Sequence, residues 1–154
     1  MVETSTDRIE KEIVVYAPRS KVWRALTDSR QFSKWFRAEM KDPFVPGARA
    51  QGRITYPGYE HLTLELQVER MEPEHFFSWR WHPYAVDARR DYSNEPTTLV
   101  VFELEEISQG TRIRVTESGF DHIPIERRSE AFRMNSGGWT QQLDSIVRYV
   151  NETE

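Results

Sequence analysis

The sequence predicts an α+β fold, one antiparallel sheet covered by a long C-terminal helix. Three observations carry that reading. Five successive segments alternate apolar and polar residues with the period of a strand, and turn-forming residues separate them. The last third then runs from a strand at 111–117 through Ser118-Gly119-Phe120 and a polar stretch to a helical stripe of Trp139, Leu143, Ile146, Val147 and Val150. Thr140, Gln141, Asp144, Ser145 and Arg148 lie off that stripe, so the helix has one wet face and one face that needs a sheet. A long helix laid across a sheet forms a grip around a space, which predicts a protein that holds a small apolar molecule.

Each element has its own signal. Ile9, Ile13 and Val15 oppose Glu10, Glu12 and Tyr16, which reads as a first strand. Pro18 can open a short helix carrying Val22, Trp23, Ala25 and Leu26. Asp28 is a plausible N-cap for a second short helix with Phe32, Trp35 and Phe36 on one side. Two prolines and a glycine make 41–47 a turn. Beyond it Ala50, Gly52, Ile54 and Tyr56 share one face. After Pro57-Gly58 so do Leu62, Leu64, Leu66 and Val68, then Phe77, Trp79 and Trp81, then Val100, Phe102 and Leu104, and last Ile113 and Val115. The polar residues between Pro83 and Pro96 form a long loop. Ser136 is expected to cap the terminal helix, with Gly137 and Gly138 at its start letting it approach the sheet closely.

Composition narrows the function. At 154 residues, 1–154 is expected to be one domain with an ordered core at about 9–150. A net charge of −4 supplies no broad positive field for phosphates, so nucleic acid is not an expected partner. The absence of cysteine excludes disulfides, zinc-thiolate sites, iron–sulfur clusters and thiol nucleophiles. No apolar run is long enough to span a membrane, and the expected location is the cytoplasm. Five tryptophans in a chain that is only 38% hydrophobic mean that large rings build much of the interior.

Several short motifs occur in an order found elsewhere: Ala17-Pro18, then Val22-Trp23-Arg24-Ala25-Leu26-Thr27-Asp28, Trp35-Phe36, Pro46-Gly47, Phe77-Ser78-Trp79, Gly110-Thr111, Ser118-Gly119-Phe120 and Gly138-Trp139. Together they resemble the bacterial homologues of the activator of heat-shock protein 90 ATPase, within the START-like, polyketide-cyclase and birch-pollen-allergen superfamily. The resemblance spans about 9–150. It implies a helix-grip fold, a curved sheet of six to seven strands wrapped on the long helix with two short helices after strand 1 and an apolar cavity between sheet and helix. Fold transfers across such a superfamily more readily than activity.

The candidate site follows from parity and from that implied cavity. Trp79, Trp81, Phe102, Phe120, Met134 and Trp139 are expected to surround one space, with Trp35, Phe36 and Tyr56 near its entrance. Glu117 shares the inward parity of Ile113 and Val115, so it points to the apolar side unless the strand has ended. A carboxylate there needs a partner. The four histidines, His61, His75, His82 and His122, show no metal-ligand spacing, so neither metal nor cofactor is expected. Ser118, Asp121 and His122 lack the turn that would expose a nucleophile. Three functions compete. The first is binding of a small hydrophobic or amphipathic ligand. The second is a cyclase- or hydrolase-type enzyme in which Glu117, His122 or Tyr56 moves a proton. The third, implied by the resemblance, is a chaperone-regulating or stress-response module. A monomer and a homodimer both fit.

Overall fold

The computed structural model describes residues 6–153, so the outermost ends of the expected 1–154 domain lie outside the described residues. Its elements are β1 (Arg8–Val15), α1 (Arg19–Thr27), α2 (Ser29–Phe36), β2 (Ala38–Met40), β3 (Arg49–Ile54), β4 (Thr63–Glu72), β5 (Phe76–Trp81), β6 (Thr98–Ile107), β7 (Gly110–Ser118), a 3₁₀ turn (Phe120–His122) and α3 (Ile125–Glu152). The seven strands form one antiparallel sheet in the order β1-β7-β6-β5-β4-β3-β2. Only β1 departs from sequence order. It crosses to pair along the whole of β7, from Arg8 opposite Ser118 to Val15 opposite Thr111.

Alternation along the strands sorts the two faces. Leu64, Leu66, Val68, Phe77, Trp79, Val100, Phe102, Ile113 and Val115 are buried on the inner face. The outer face carries cross-strand ion pairs, among them Arg114 with Glu12, Arg80 with Glu69 and Arg49 with Glu65, at 3.3, 2.7 and 3.0 Å. Exposed pairs of this kind contribute roughly 0.2–1 kcal/mol each, so they pin register more than they hold the fold. Asp28 caps α2 by accepting from the Arg30 N–H at 2.9 Å. Gly110 opens β7 at φ +151°, where a Cβ would run into the Val15 carbonyl oxygen of β1.

The long helix begins earlier than its stripe predicts. α3 opens at Ile125, and Gly137 and Gly138 lie inside it rather than at its start. The polar run ahead of them reads as a loop because it is hydrophilic, yet Glu126, Arg127, Arg128, Glu130 and Arg133 are all good helix formers. Ala131 and Trp139 supply the buried face. Ser136 therefore caps nothing. The glycines serve no close approach either, since a Cβ at Gly137 or Gly138 would meet nothing within 4 Å.

The start of α3 is strapped to the long β5–β6 loop. Arg127 donates from Nε to Glu95 and from Nη1 to the Pro83 carbonyl, both at 2.8 Å, and its guanidinium lies 4.8 Å from the Tyr92 ring centre. Further along, Ser145 Oγ donates to the Trp35 carbonyl at 2.7 Å and Gln142 Nε2 to the Phe36 carbonyl at 3.4 Å. These bonds satisfy two of the free carbonyls at the end of α2.

Two glycine substitutions with opposite signs test this geometry. Gly137→Ala should raise stability by about 0.4–1 kcal/mol, because it removes unfolded-state freedom at an open helical position. Gly110→Ala should cost more than about 2 kcal/mol through backbone clash at a positive φ. Urea denaturation of the two variants measures both.

Candidate functional site

Strand register brings one polar group into the ring-filled interior. Trp81 pairs across β5–β6 with Thr98, and Val100, two residues on, pairs across β6–β7 with Glu117. All three polar-headed side chains, Trp81, Thr98 and Glu117, thus face inward at neighbouring positions. Glu117 has no exposed surface. Its Oε2 accepts from Trp81 Nε1 at 2.8 Å and from Thr98 Oγ1 at 2.6 Å. Its Oε1 accepts from Trp139 Nε1 at 2.8 Å, and Asn135 Nδ2 reaches both oxygens, at 3.0 and 3.2 Å. Two donors come from the sheet, Trp81 and Thr98 joined by two from α3, Trp139 and Asn135.

None of these donors carries a charge. Burial pushes the Glu117 carboxyl above the ordinary carboxylate range, and the bonds from Thr98, Trp81, Trp139 and Asn135 pull against it without prevailing. When the carboxyl holds a proton, each indole N–H can still only donate. The Thr98 hydroxyl can then accept by rotating, and the Asn135 amide by turning its oxygen towards the carboxyl. The site can therefore hold a proton on the Glu117 carboxyl, with Thr98 or Asn135 accepting from it.

Around this group the expected rings divide. Trp79, Trp81, Phe102 and Trp139 come together: Trp79 lies 5.6 Å from Trp81, 5.6 Å from Phe102 and 6.3 Å from Trp139, and Trp81 stacks on Trp139 at 5.8 Å. They pack on one another rather than border an open space, and Trp79 and Phe102 are wholly buried. Phe120 is buried apart from them, edge-on to Phe132 at 5.2 Å. Met134 faces outward, because the helix rotates it away from the stripe of Trp139. Tyr56 is 43% exposed, since β3 ends at Ile54 and the inward parity ends with it.

The expected entrance residues do meet. Trp35, Phe36 and Tyr56 line a hollow of about 200 Å³ between α2 and α3, together with Arg37, Gln141, Gln142, Asp144, Ser145 and Arg148. Arg37 ends α2 in the left-handed region at φ 63°, and its guanidinium lies 5.1 Å from the Tyr56 ring centre. Phe36 connects the hollow to the interior, with its ring 6.1 Å from Trp81. A larger hollow of about 530 Å³ lies at another place, between Tyr16, Arg19, Glu74, Glu106 and Gly110, and touches none of these rings.

Other candidates stay outside. His61, His75 and His122 are exposed, and His82 is half-buried with Nε2 3.1 Å from the Glu95 carbonyl. Among the described residues no three His, Asp or Glu side chains cluster as metal ligands. Sequence reasoning missed Thr98, Asn135, Phe32 and Arg37. Thr98 shares the parity of Val100 and Phe102, so parity alone would have found it. Asn135 stands one helical turn before Trp139 and becomes visible only once α3 is extended back past the glycines.

Replacing Glu117 with glutamine turns one oxygen into a donor that must face an indole N–H whichever way the amide lies. At the acid end of the pH range Glu117→Gln should therefore cost about 1–3 kcal/mol. The folded carboxyl titrates above the unfolded one, so its contribution is complete below the unfolded pKa and is lost as pH rises through the folded value. The deficit of the variant should shrink with rising pH. Denaturant midpoints of both proteins across that range check the sign.

No curated protein matches the chain by sequence. Solved structures match its fold. Protein MLL2253 from Mesorhizobium loti has a TM-score of 0.75 at 23% identity, covering 96% of this chain and 98% of that one. DynU16, a putative protein in the dynemicin biosynthetic locus, has a TM-score of 0.73 at 23% identity over 95% of this chain and 48% of its own. The Aha1 protein from Colwellia psychrerythraea, solved as a dimer in solution, has a TM-score of 0.69 at 19% identity over 93% of this chain and 95% of that one. Those likenesses establish the START-like helix-grip architecture. A family model described as activator of Hsp90 ATPase homolog 1-like protein matches residues 16–151, and the chain belongs to that family.

Proposed function

We propose that this protein binds a small amphipathic molecule, admitted through the hollow between α2 and α3 and held against the aromatic interior around Glu117. One observation carries the reading: a carboxylate with no exposed surface sits among apolar rings and is held by donors from both the sheet and the helix. A core built for stability alone gains little from such a group, because burying it must be offset by every donor around it. The hollow supports the same reading. Trp35, Phe36 and Tyr56 offer apolar surface, while Arg37 and Arg148 offer charge at the rim and outnumber Asp144. An anionic head on a ring-bearing body fits that arrangement.

Glu117 also favours a second reading, a general acid or base acting on a bound substrate, since its raised pKa brings it towards the range where proton transfer is effective. Tyr56 and His122 do not reach it. Formation of a product from a bound compound would separate catalysis from binding.

The test uses 1-anilinonaphthalene-8-sulfonate, an anionic aromatic amphipath, titrated into the full chain. Saturable binding of one molecule is expected, with myristate competing for it. Tyr56→Ala and Arg148→Ala should each weaken it about three- to tenfold, in keeping with the loss of one aromatic or charged contact. Linear, unsaturable fluorescence would refute the reading.

A further inference from the structure

The deepest indole of the interior has no hydrogen-bond acceptor. Trp79 is wholly buried, and its Nε1 finds no partner among the described residues. A buried N–H left unpaired costs about 1–3 kcal/mol. Trp81 and Trp139, which lie beside it, both spend their N–H groups on Glu117. So the ring that has a donor to spare packs directly on the two rings that bond the carboxylate, at 5.6 and 6.3 Å between centres.

The helix above the cluster is weakest at a telling place. Gly137 and Gly138 fall between Asn135 and Trp139, the two α3 residues that bond Glu117. Neither glycine is required by space or by backbone conformation, since a Cβ at either would meet nothing within 4 Å. Each costs about 1 kcal/mol of helix propensity against alanine. A bend at this pair would draw Trp139 off Glu117 and off the face of Trp81, and would free space next to Trp79, whose ring centre lies 6.3 Å from that of Trp139.

From this juxtaposition we infer that the interior recognises a flat, ring-bearing molecule with a hydrogen-bond donor next to an acceptor oxygen, as in an aryl carboxamide or a phenol, admitted when α3 bends at Gly137-Gly138. The ring takes the place of Trp139 against Trp81. Its donor replaces Trp139 Nε1 on Glu117, and its oxygen accepts from Trp79 Nε1. The inference rests on the ligand-binding reading and specifies what the ligand must carry.

Four bicyclic probes test it by calorimetry on the full chain: naphthalene-2-carboxamide, 2-naphthol, 2-methoxynaphthalene and 2-methylnaphthalene. The carboxamide and naphthol should bind at least about tenfold more tightly than the methyl compound, a difference typical of one buried hydrogen bond. Trp79→Phe should erase most of that advantage and leave methylnaphthalene unchanged. The double change Gly137→Ala with Gly138→Ala should stabilise the fold yet weaken all four probes about tenfold, because the bent state becomes rarer. In the wild-type protein, the Trp79 indole N–H resonance should move downfield on adding the carboxamide and stay in place with methylnaphthalene. Equal affinity for carboxamide and methylnaphthalene, or a Trp79 resonance indifferent to both, overturns the inference. If anilinonaphthalene sulfonate binds while these probes do not, the inference fails and the broader reading stands. If neither set binds, both fail.

Discussion

Everything in the middle of this molecule is arranged around one carboxylate that has been taken out of water. Desolvation would drive Glu117 to give up its charge, and the surrounding groups answer with hydrogen bonds rather than with a cation. That choice has a structural cost and a structural effect. Neutral donors must be brought to bonding distance from different elements, so β5, β6 and α3 are tied to a point on β7. Hydrophobic packing brings helix and sheet together without direction. The carboxylate supplies the direction, because an indole N–H reaches it in one orientation only.

The same constraint explains why tryptophan is so frequent here. A ring that must fill an apolar space and still donate one hydrogen bond has few alternatives. Trp81 and Trp139 do both, and Trp35 does so with the Ala25 carbonyl at 2.7 Å. Trp79 fills space in the same way and makes no such bond among the described residues. Phe32 joins these rings from α2, lying 4.9 Å from Trp35 and 6.0 Å from Trp79. The aromatic interior is therefore continuous from the hollow beside Tyr56 to the underside of α3.

Much of this could be read from the chain because a sheet with one wet face writes its parity into the sequence. Counting in twos puts Trp79, Phe102 and Glu117 on the inner face, and all three are buried. The counting failed where the period itself ended. Tyr56 lies two residues beyond β3, and no local signal marks that end before Pro57. Met134 is wrongly expected in the interior and Asn135 is missed for another reason: hydrophilic helix formers around a lone buried face look like a loop when two glycines follow, so the rotation of that stretch cannot be read. Asn135 and Trp139 become partners only through a carboxylate on a distant strand, a relation that periodicity along one element does not contain.

The fastening of α3 has a mechanical consequence. Arg127 holds its first turn to Glu95 and the Pro83 carbonyl, and Ser145 and Gln142 hold its later turns to the end of α2. The glycine pair lies between those two sets of clamps. A beam fixed at both ends cannot swing like a gate; it can only bow. The displacement available at mid-span is then set by the slack of two side-chain anchors, so the molecule carries its own limit on the thickness of anything that passes beneath the helix.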